Sequence, residues 1–161
     1  MRILTISAGA IIACLAAIWL IGLALPATRV GKVEGRINVP PATVLEIIRA
    51  VEAQPDWRAD VAAVTRTADG WIETTTRGQE IAFTPEIMTE EIIRLRFSSA
   101  AGFSGIWEAK LLADGAQTNI SIAESVTTQF PIGRILSRLF FNPQAFATTY
   151  LAELTARSEG M

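Results

Sequence analysis

An α+β fold, in which a curved antiparallel β-sheet wraps around a long C-terminal helix behind an N-terminal transmembrane helix, is predicted by three features of the sequence. Residues 3–25 hold 19 apolar residues out of 23 and no charge. Short extended runs recur at 8–12 residue intervals from position 60 to 127, the pattern of a meandering antiparallel sheet. After Pro131 the apolar period changes to that of a helix.

The run from Ile3 to Leu25 makes a helix of ~35 Å at ~1.5 Å per residue, enough for a hydrocarbon core of ~30 Å. A cleaved signal peptide is the alternative, since Gly22-Leu23-Ala24 offers small residues at the right spacing. The run exceeds the ~7–15 residues of a signal core, which favours an uncleaved anchor and a single-pass membrane protein. Trp19 and Pro26 suit an interfacial side chain and a helix stop. Arg2 and the free amino group face Arg29, Lys32 and Arg36 across the segment, so the positive-inside count is nearly balanced; the expectation is an extracytoplasmic domain. Residues 1–29 are thus read as anchor and short tether and residues 30–161 as one folded domain. About five residues separate Leu25 from the first strand, a reach under ~20 Å.

From Val30 to Val39, Val33, Gly35, Ile37 and Val39 share one phase and Glu34 and Arg36 the other, which predicts a half-buried strand. Pro41 opens a helix with apolar positions Val44, Ile47, Ile48 and Val51, and Gln54-Pro55 ends it. Strands are expected near 60–67, 71–76, 79–88, 91–98, 104–112 and 117–127, with Asp69-Gly70, Arg77-Gly78 and Asp114-Gly115 as turns. In the 91–98 strand Ile93, Leu95 and Phe97 alternate with Arg94, Arg96 and Ser98, so one face is wet. Residues 131–158 read as one bent helix or two consecutive ones. Asn142-Pro143 is an N-cap with proline at the first helical position, and Ala147, Tyr150, Leu151 and Leu154 form the buried stripe.

Composition excludes several functions. Fourteen basic and 16 acidic residues give a formal charge of −2, with no electrostatic footprint for a nucleic-acid backbone. There is no histidine, and the only cysteine, Cys14, lies in the apolar run, so disulfides, zinc-finger spacing and Cys-His or Ser-His-Asp nucleophile systems are out of reach. No carboxylate cluster or glycine-rich loop suggests a metal site, a nucleotide or another cofactor.

Four stretches carry a resemblance. They are Val39-Pro40-Pro41-Ala42-Thr43-Val44, Gln54-Pro55-Asp56-Trp57-Arg58, Phe103-Ser104-Gly105-Ile106-Trp107-Glu108, and Gly115 with Thr118-Asn119-Ile120-Ser121-Ile122-Ala123-Glu124. In order and spacing across residues 30–158 the chain resembles the START-related polyketide cyclase and dehydratase superfamily, also called SRPBCC. The resemblance implies a helix-grip fold with a hydrophobic ligand cavity between sheet and closing helix. It implies no single activity, because one fold hosts many functions.

Trp57, Trp71, Phe83, Leu95, Phe97, Trp107, Phe146 and Tyr150 are the bulky residues whose phase can place them inward as ligand contacts, Trp71 fitting either phase; an inward side chain of this kind is more often ordinary core. Glu124 shares its strand phase with Ile120, Ile122 and Val126, which turns its carboxylate inward. A buried, unpaired carboxylate is costly, so Glu124 must be neutral, paired with an arginine, near the cavity opening, or displaced by a bulge. It is the one weak catalytic candidate. Glu73 can face either way, and Arg58 with Asp60 is expected to form a surface ion pair of little consequence. Gln129-Phe130-Pro131-Ile132 and Leu139-Phe140-Phe141, with Arg134 and Arg138 between them, are expected to pack into the core; dipping into a lipid interface is the alternative. The function expected is non-catalytic binding of a lipid, quinone or polyketide-like compound by a membrane-anchored domain. The alternatives are a cyclase or dehydratase using the same pocket, and an interaction module with a filled core that engages a protein partner.

Overall fold

The computed structural model describes residues 2–160, with side chains from residue 9 onward. Helix α1 (Arg2–Ala24) leads into strand β1 (Thr28–Ile37), helix α2 (Pro41–Arg49) and a 3₁₀ turn at Val51–Asp56. Strands β2 (Val61–Arg66), β3 (Trp71–Thr75), β4 (Glu80–Met88), β5 (Ile92–Ser99), β6 (Phe103–Asp114) and β7 (Gln117–Thr128) form the meander, and α3 (Pro131–Phe140) and α4 (Pro143–Glu159) close the chain. The sheet is antiparallel with seven strands in the order β1-β7-β6-β5-β4-β3-β2, so only the first strand leaves sequence order, pairing beside the last.

Side-chain alternation sets which face is buried. Along β5, Ile93, Leu95 and Phe97 are buried, while Arg94 and Arg96 lie on the outer face near Glu86, with Glu108 beside Arg94. Such exposed ion pairs contribute little to stability. On the inner face Ile37, Ile93, Ile122 and Leu154 are fully buried and join α2, the sheet and α4 into one core. Gly115, at φ +63°, takes the first position of the two-residue turn joining β6 to β7, a conformation that suits a residue without a Cβ.

Helix α4 lies unusually close to β1. A Cβ on Gly31 would sit 2.2 Å from the Pro143 carbonyl oxygen, and one on Gly35 would sit 2.7 Å from Leu151 Cδ2. The amide of Gln144 bridges the Lys32 backbone, accepting from its N–H at 3.0 Å and donating to its carbonyl at 2.6 Å. At the other end, Glu159 accepts from the Asn38 backbone and side chain. Both ends of the helix are therefore fixed to the sheet edge. Residues 131–158 are two consecutive helices: Asn142 Oδ1 caps α4 by accepting from the N–H groups of Gln144 and Ala145.

The ends of the domain bear on two expectations. The segment expected to span a membrane, residues 3–25, is helical to Ala24, but residues 3–8 fall outside the described side chains. Among the described residues no helix is long and apolar enough to cross a membrane. Core packing does not cover α3, because Phe130, Ile132, Leu136, Leu139 and Phe140 are all exposed. The helix turns Gly133 and Arg134 toward the domain instead, where Arg134 donates to the carbonyls of Thr128 and Leu25, and its apolar stripe is left outside.

Candidate functional site

Between the inner face of the sheet and α4 lies a small cavity of about 30 Å³. That is room for about one water. The sheet contributes Glu73, Phe83, Leu95, Trp107 and Glu124, and α4 contributes Phe146 and Tyr150; Ile48, Gln54 and Arg58 complete the wall. The hydrophobic cavity expected from the sequence is thus corrected in size, while its wall keeps the expected apolar and aromatic side chains around Glu124. A larger depression of about 540 Å³ lies on the outer face around Glu34, Glu91 and Lys110, open to solvent and away from the buried charges.

Glu124 sits in the middle of β7, opposite Gly31 on β1 and Trp107 on β6. Regular pairing here turns its side chain inward, and it is buried with Oε2 lacking any hydrogen-bond partner. Burial pushes its carboxyl up to about 8; Arg58 opposes the shift, and Asp60 and Glu73 reinforce it. At neutral pH Glu124 is therefore mostly a neutral acid, with one O–H to give and a carbonyl oxygen to receive.

Arg58 is the charged centre of the wall. It follows the 3₁₀ turn and is 5% exposed. Its guanidinium grips Asp60 through two nitrogens (Nη2 to Oδ2 at 2.9 Å, Nε to Oδ1 at 3.3 Å). Nη1 donates to Glu73 Oε2 at 2.9 Å and to Gln54 Oε1 at 2.5 Å. Burial works against this charge, but Glu73 and Asp60 outweigh it and raise the pKa of Arg58, keeping it charged. The guanidinium also faces the rings of Tyr150 and Phe146, at 5.3 and 5.9 Å from their centroids. The Tyr150 hydroxyl is pushed up by its own burial, Arg58 opposing, and stays protonated.

The structure brings Phe83, Leu95, Trp107, Glu124, Phe146 and Tyr150 of the sequence-selected residues around this space. Trp57, Trp71 and Phe97 stand one layer behind. Trp57 packs edge-on against Tyr150 at 5.6 Å, Trp71 stacks on Phe83 at 5.5 Å, and Phe97 lies 5.7 Å from Phe83. Sequence reasoning does not single out Gln54, and it weighs Arg58 and Glu73 without placing them in the site. The pair expected between Arg58 and Asp60 forms, but Arg58 is buried and carries Glu73 as a second partner, which corrects its reading as an inconsequential surface pair. The available signal is the period of β3: once Trp71 points inward so does Glu73, and a buried carboxyl must either pair with a cation, as Glu73 does with Arg58, or stay neutral. Among the described residues no group of His, Cys, Asp or Glu side chains is arranged to hold a metal ion.

Comparison with solved structures agrees with this geometry. The Zhui aromatase/cyclase from Streptomyces sp. R1128 superposes with a TM-score of 0.70 at 11% identity, over 82% of this chain and 94% of that one. The chain has the START-related helix-grip fold. A START superfamily protein from Mycobacterium smegmatis matches the same fold with a TM-score of 0.67 at 15% identity, covering 81% of this chain and 97% of that one. Norcoclaurine synthase from Thalictrum flavum, in complex with dopamine and hydroxybenzaldehyde, gives 0.62 at 10% identity over 88% and 91%. No protein-family model and no curated protein sequence matches the chain. At these identities the likeness establishes the helix-grip fold and leaves function to the side chains.

Proposed function

We propose that this protein binds a lipophilic small molecule bearing one hydrogen-bonding group in the pocket between sheet and α4, without catalysing a reaction, and that α1 anchors the domain beside a bilayer. The observation that carries the reading is Glu124 Oε2, a buried polar atom without a partner in a wall otherwise rich in apolar and aromatic groups. An unmet group of this kind costs about 1–3 kcal/mol, which a ligand hydroxyl or carbonyl offsets. A guest larger than water needs the wall to open, and Phe83 and Phe146 are the half-buried members of that wall. The helix-grip neighbours support a small-molecule role, since one is described in complex with two small aromatic compounds. The anchor is supported by the apolar side chains α1 exposes, among them Ile12, Leu15 and Leu20.

The test is Trp fluorescence titration of the full chain in detergent with 4-heptylphenol and with heptylbenzene. Saturable binding that favours the phenol, with the preference lost in Glu124→Ala, is expected. Absence of saturable binding, together with no compound retained from a total lipid extract by native mass spectrometry, overturns the reading. Retention of the chain in the membrane fraction after an alkaline carbonate wash tests the anchor.

A cyclase-type reaction is the second reading. It is favoured by the acid proton that Glu124 holds beside the fixed charge of Arg58, and by the aromatase/cyclase among the neighbours. Product formation from a polyketide chain that vanishes in Glu124→Gln while binding persists would select it. The small size of the cavity favours a third, an interaction module with a filled core; the failed titration above would select that one.

A further inference from the structure

Helix α3 carries a surface that the pocket does not explain. Ile132, Leu136, Leu139 and Phe140 recur at helical spacing as one apolar stripe, with Leu139 70% and Phe140 76% exposed, and Phe130 is exposed at the N-cap. Elsewhere in the described part of the domain, exposed large apolar side chains are scattered at Val30, Ile87 and Leu112. Isolated ones are ordinary, whereas a contiguous set marks an interaction site. The charges of α3 are both positive, Arg134 and Arg138, and it contains no acidic residue.

The position of α3 is fixed rather than adventitious. It packs on α1, where a Cβ on Gly22 would sit 2.3 Å from the Pro131 carbonyl oxygen. Arg134 donates to the carbonyl of Leu25 at 3.3 Å, just past the end of α1. Arg29 in turn donates to the carbonyls of Ser137 and Phe141 at 2.9 and 2.7 Å, closing the C-terminal end of α3. The two guanidiniums tie α1, β1 and α3 into one corner. The end of α1, where Leu20 and Leu23 are exposed, thereby packs on the first turn of α3, next to Ile132 at the start of the stripe.

The geometry points to α3 as an interfacial helix that lies in the head-group layer of an anionic lipid surface, apolar stripe inward and Arg138 against the phosphates. This inference rests on the anchor reading of α1 and adds to it a second, peripheral contact. Because Phe141 packs on Phe146 at 6.1 Å, and Phe146 lines the cavity, the lipid-facing corner reaches the pocket wall through one aromatic contact.

The test uses the full chain reconstituted in vesicles of equal parts phosphatidylcholine and phosphatidylglycerol. Cys14→Ala is combined with Leu139→Cys, Phe140→Cys or, as a water-facing control, Asp69→Cys, each labelled with a nitrobenzoxadiazole fluorophore. The label at 139 and 140 is expected to shift to the blue and to be quenched by brominated lipid, while the label at 69 does neither. Arg138→Ala should reduce the docked population about fivefold, and raised salt should reduce it further. If the chain stays with the vesicles but the labels at 139 and 140 match the one at 69, the inference fails and the anchor stands. Should the chain not associate with vesicles at all, both fail. A dimer in which those labels are shielded without lipid would assign the stripe to a second copy and overturn the inference.

Discussion

Substituting Glu124 by glutamine isolates the electrostatic cost held in the pocket. In the unfolded chain the carboxyl titrates near 4.5, and in the native state near 8 because it is buried. Below the first value both states hold the proton and the group adds no pH dependence. Between the two, the native state keeps a proton that the unfolded state has released, so native stability falls as pH rises, by about 1.4 kcal/mol per unit. By pH 7 the accumulated loss is roughly 3 kcal/mol, and above pH 8 it stops growing. Glutamine nearly preserves the shape and has no such titration. The difference between Glu124→Gln and the parent chain should therefore widen between pH 5 and 8 and then level off, whatever constant offset the amide introduces.

For a domain of this size about 1.4 kcal/mol corresponds to roughly 4–6 °C in melting midpoint per pH unit. Thermal unfolding of both full-length proteins in one mild detergent, followed by near-ultraviolet circular dichroism at pH 5, 6, 7, 8 and 9, reads it directly. All other titrating groups are common to the two chains and cancel in the difference. A difference that stays flat across this range would mean that Glu124 is ionised at neutral pH and has found a partner, and the argument for a neutral acid in the pocket would be lost.

Other perturbations address the frame around that acid. Arg58→Ala leaves Glu73 buried without its cation and should destabilise the fold by about 3–5 kcal/mol in urea titration, whereas the double variant Arg58→Met, Glu73→Met should recover most of that loss. Gly31→Ala forces the new methyl into the Pro143 carbonyl 2.2 Å away, so a loss of about 1–3 kcal/mol or more is expected; a neutral result would show that α4 does not need to lie so close to β1. Asn142→Ala removes the cap that separates α3 from α4 and should cost about 1 kcal/mol, measured as a shift in melting midpoint.

The sheet was legible because alternation is a local property: Ile93, Leu95 and Phe97 declare a buried face in three residues, and Asp114-Gly115 declares the turn that fixes the next register. Glu124 could be turned inward by the same rule. The partners could not be found that way, since Arg58 meets Glu73 across 15 positions and through a 3₁₀ turn whose direction no periodicity encodes. The size of the cavity was out of reach for a related reason. Whether Trp107, Tyr150 and Phe146 line an open space or fill it depends on how closely α4 approaches β1. That distance is set by Gly31 and Gly35, residues whose role is to be absent. The exposed face of α3 misled because an amphipathic stripe does not say which side it buries; Gly133 and Arg134 decide that, by seating against Thr128.

A neutral acid next to a neutralised cation also constrains what the pocket selects. Arg58 already has Asp60, Glu73 and Gln54, so it has little left to offer an anionic guest, and the group in want of a partner is Glu124. If the guest presents a carbonyl, it takes the O–H of the protonated acid, and its affinity should fall about tenfold per unit once pH passes 8. If the guest presents a hydroxyl or a cation, it favours the carboxylate, draws the pKa of Glu124 down, and should bind more tightly as pH rises toward 8, with a proton released on binding. The two classes thus give opposite slopes in the same titration. Isothermal calorimetry of one ligand in two buffers of different ionisation enthalpy counts the proton and so identifies which class is bound. A pH-independent affinity with no proton uptake or release would place the guest's polar end away from Glu124, and the pocket would then have to recognise its ligand by shape alone.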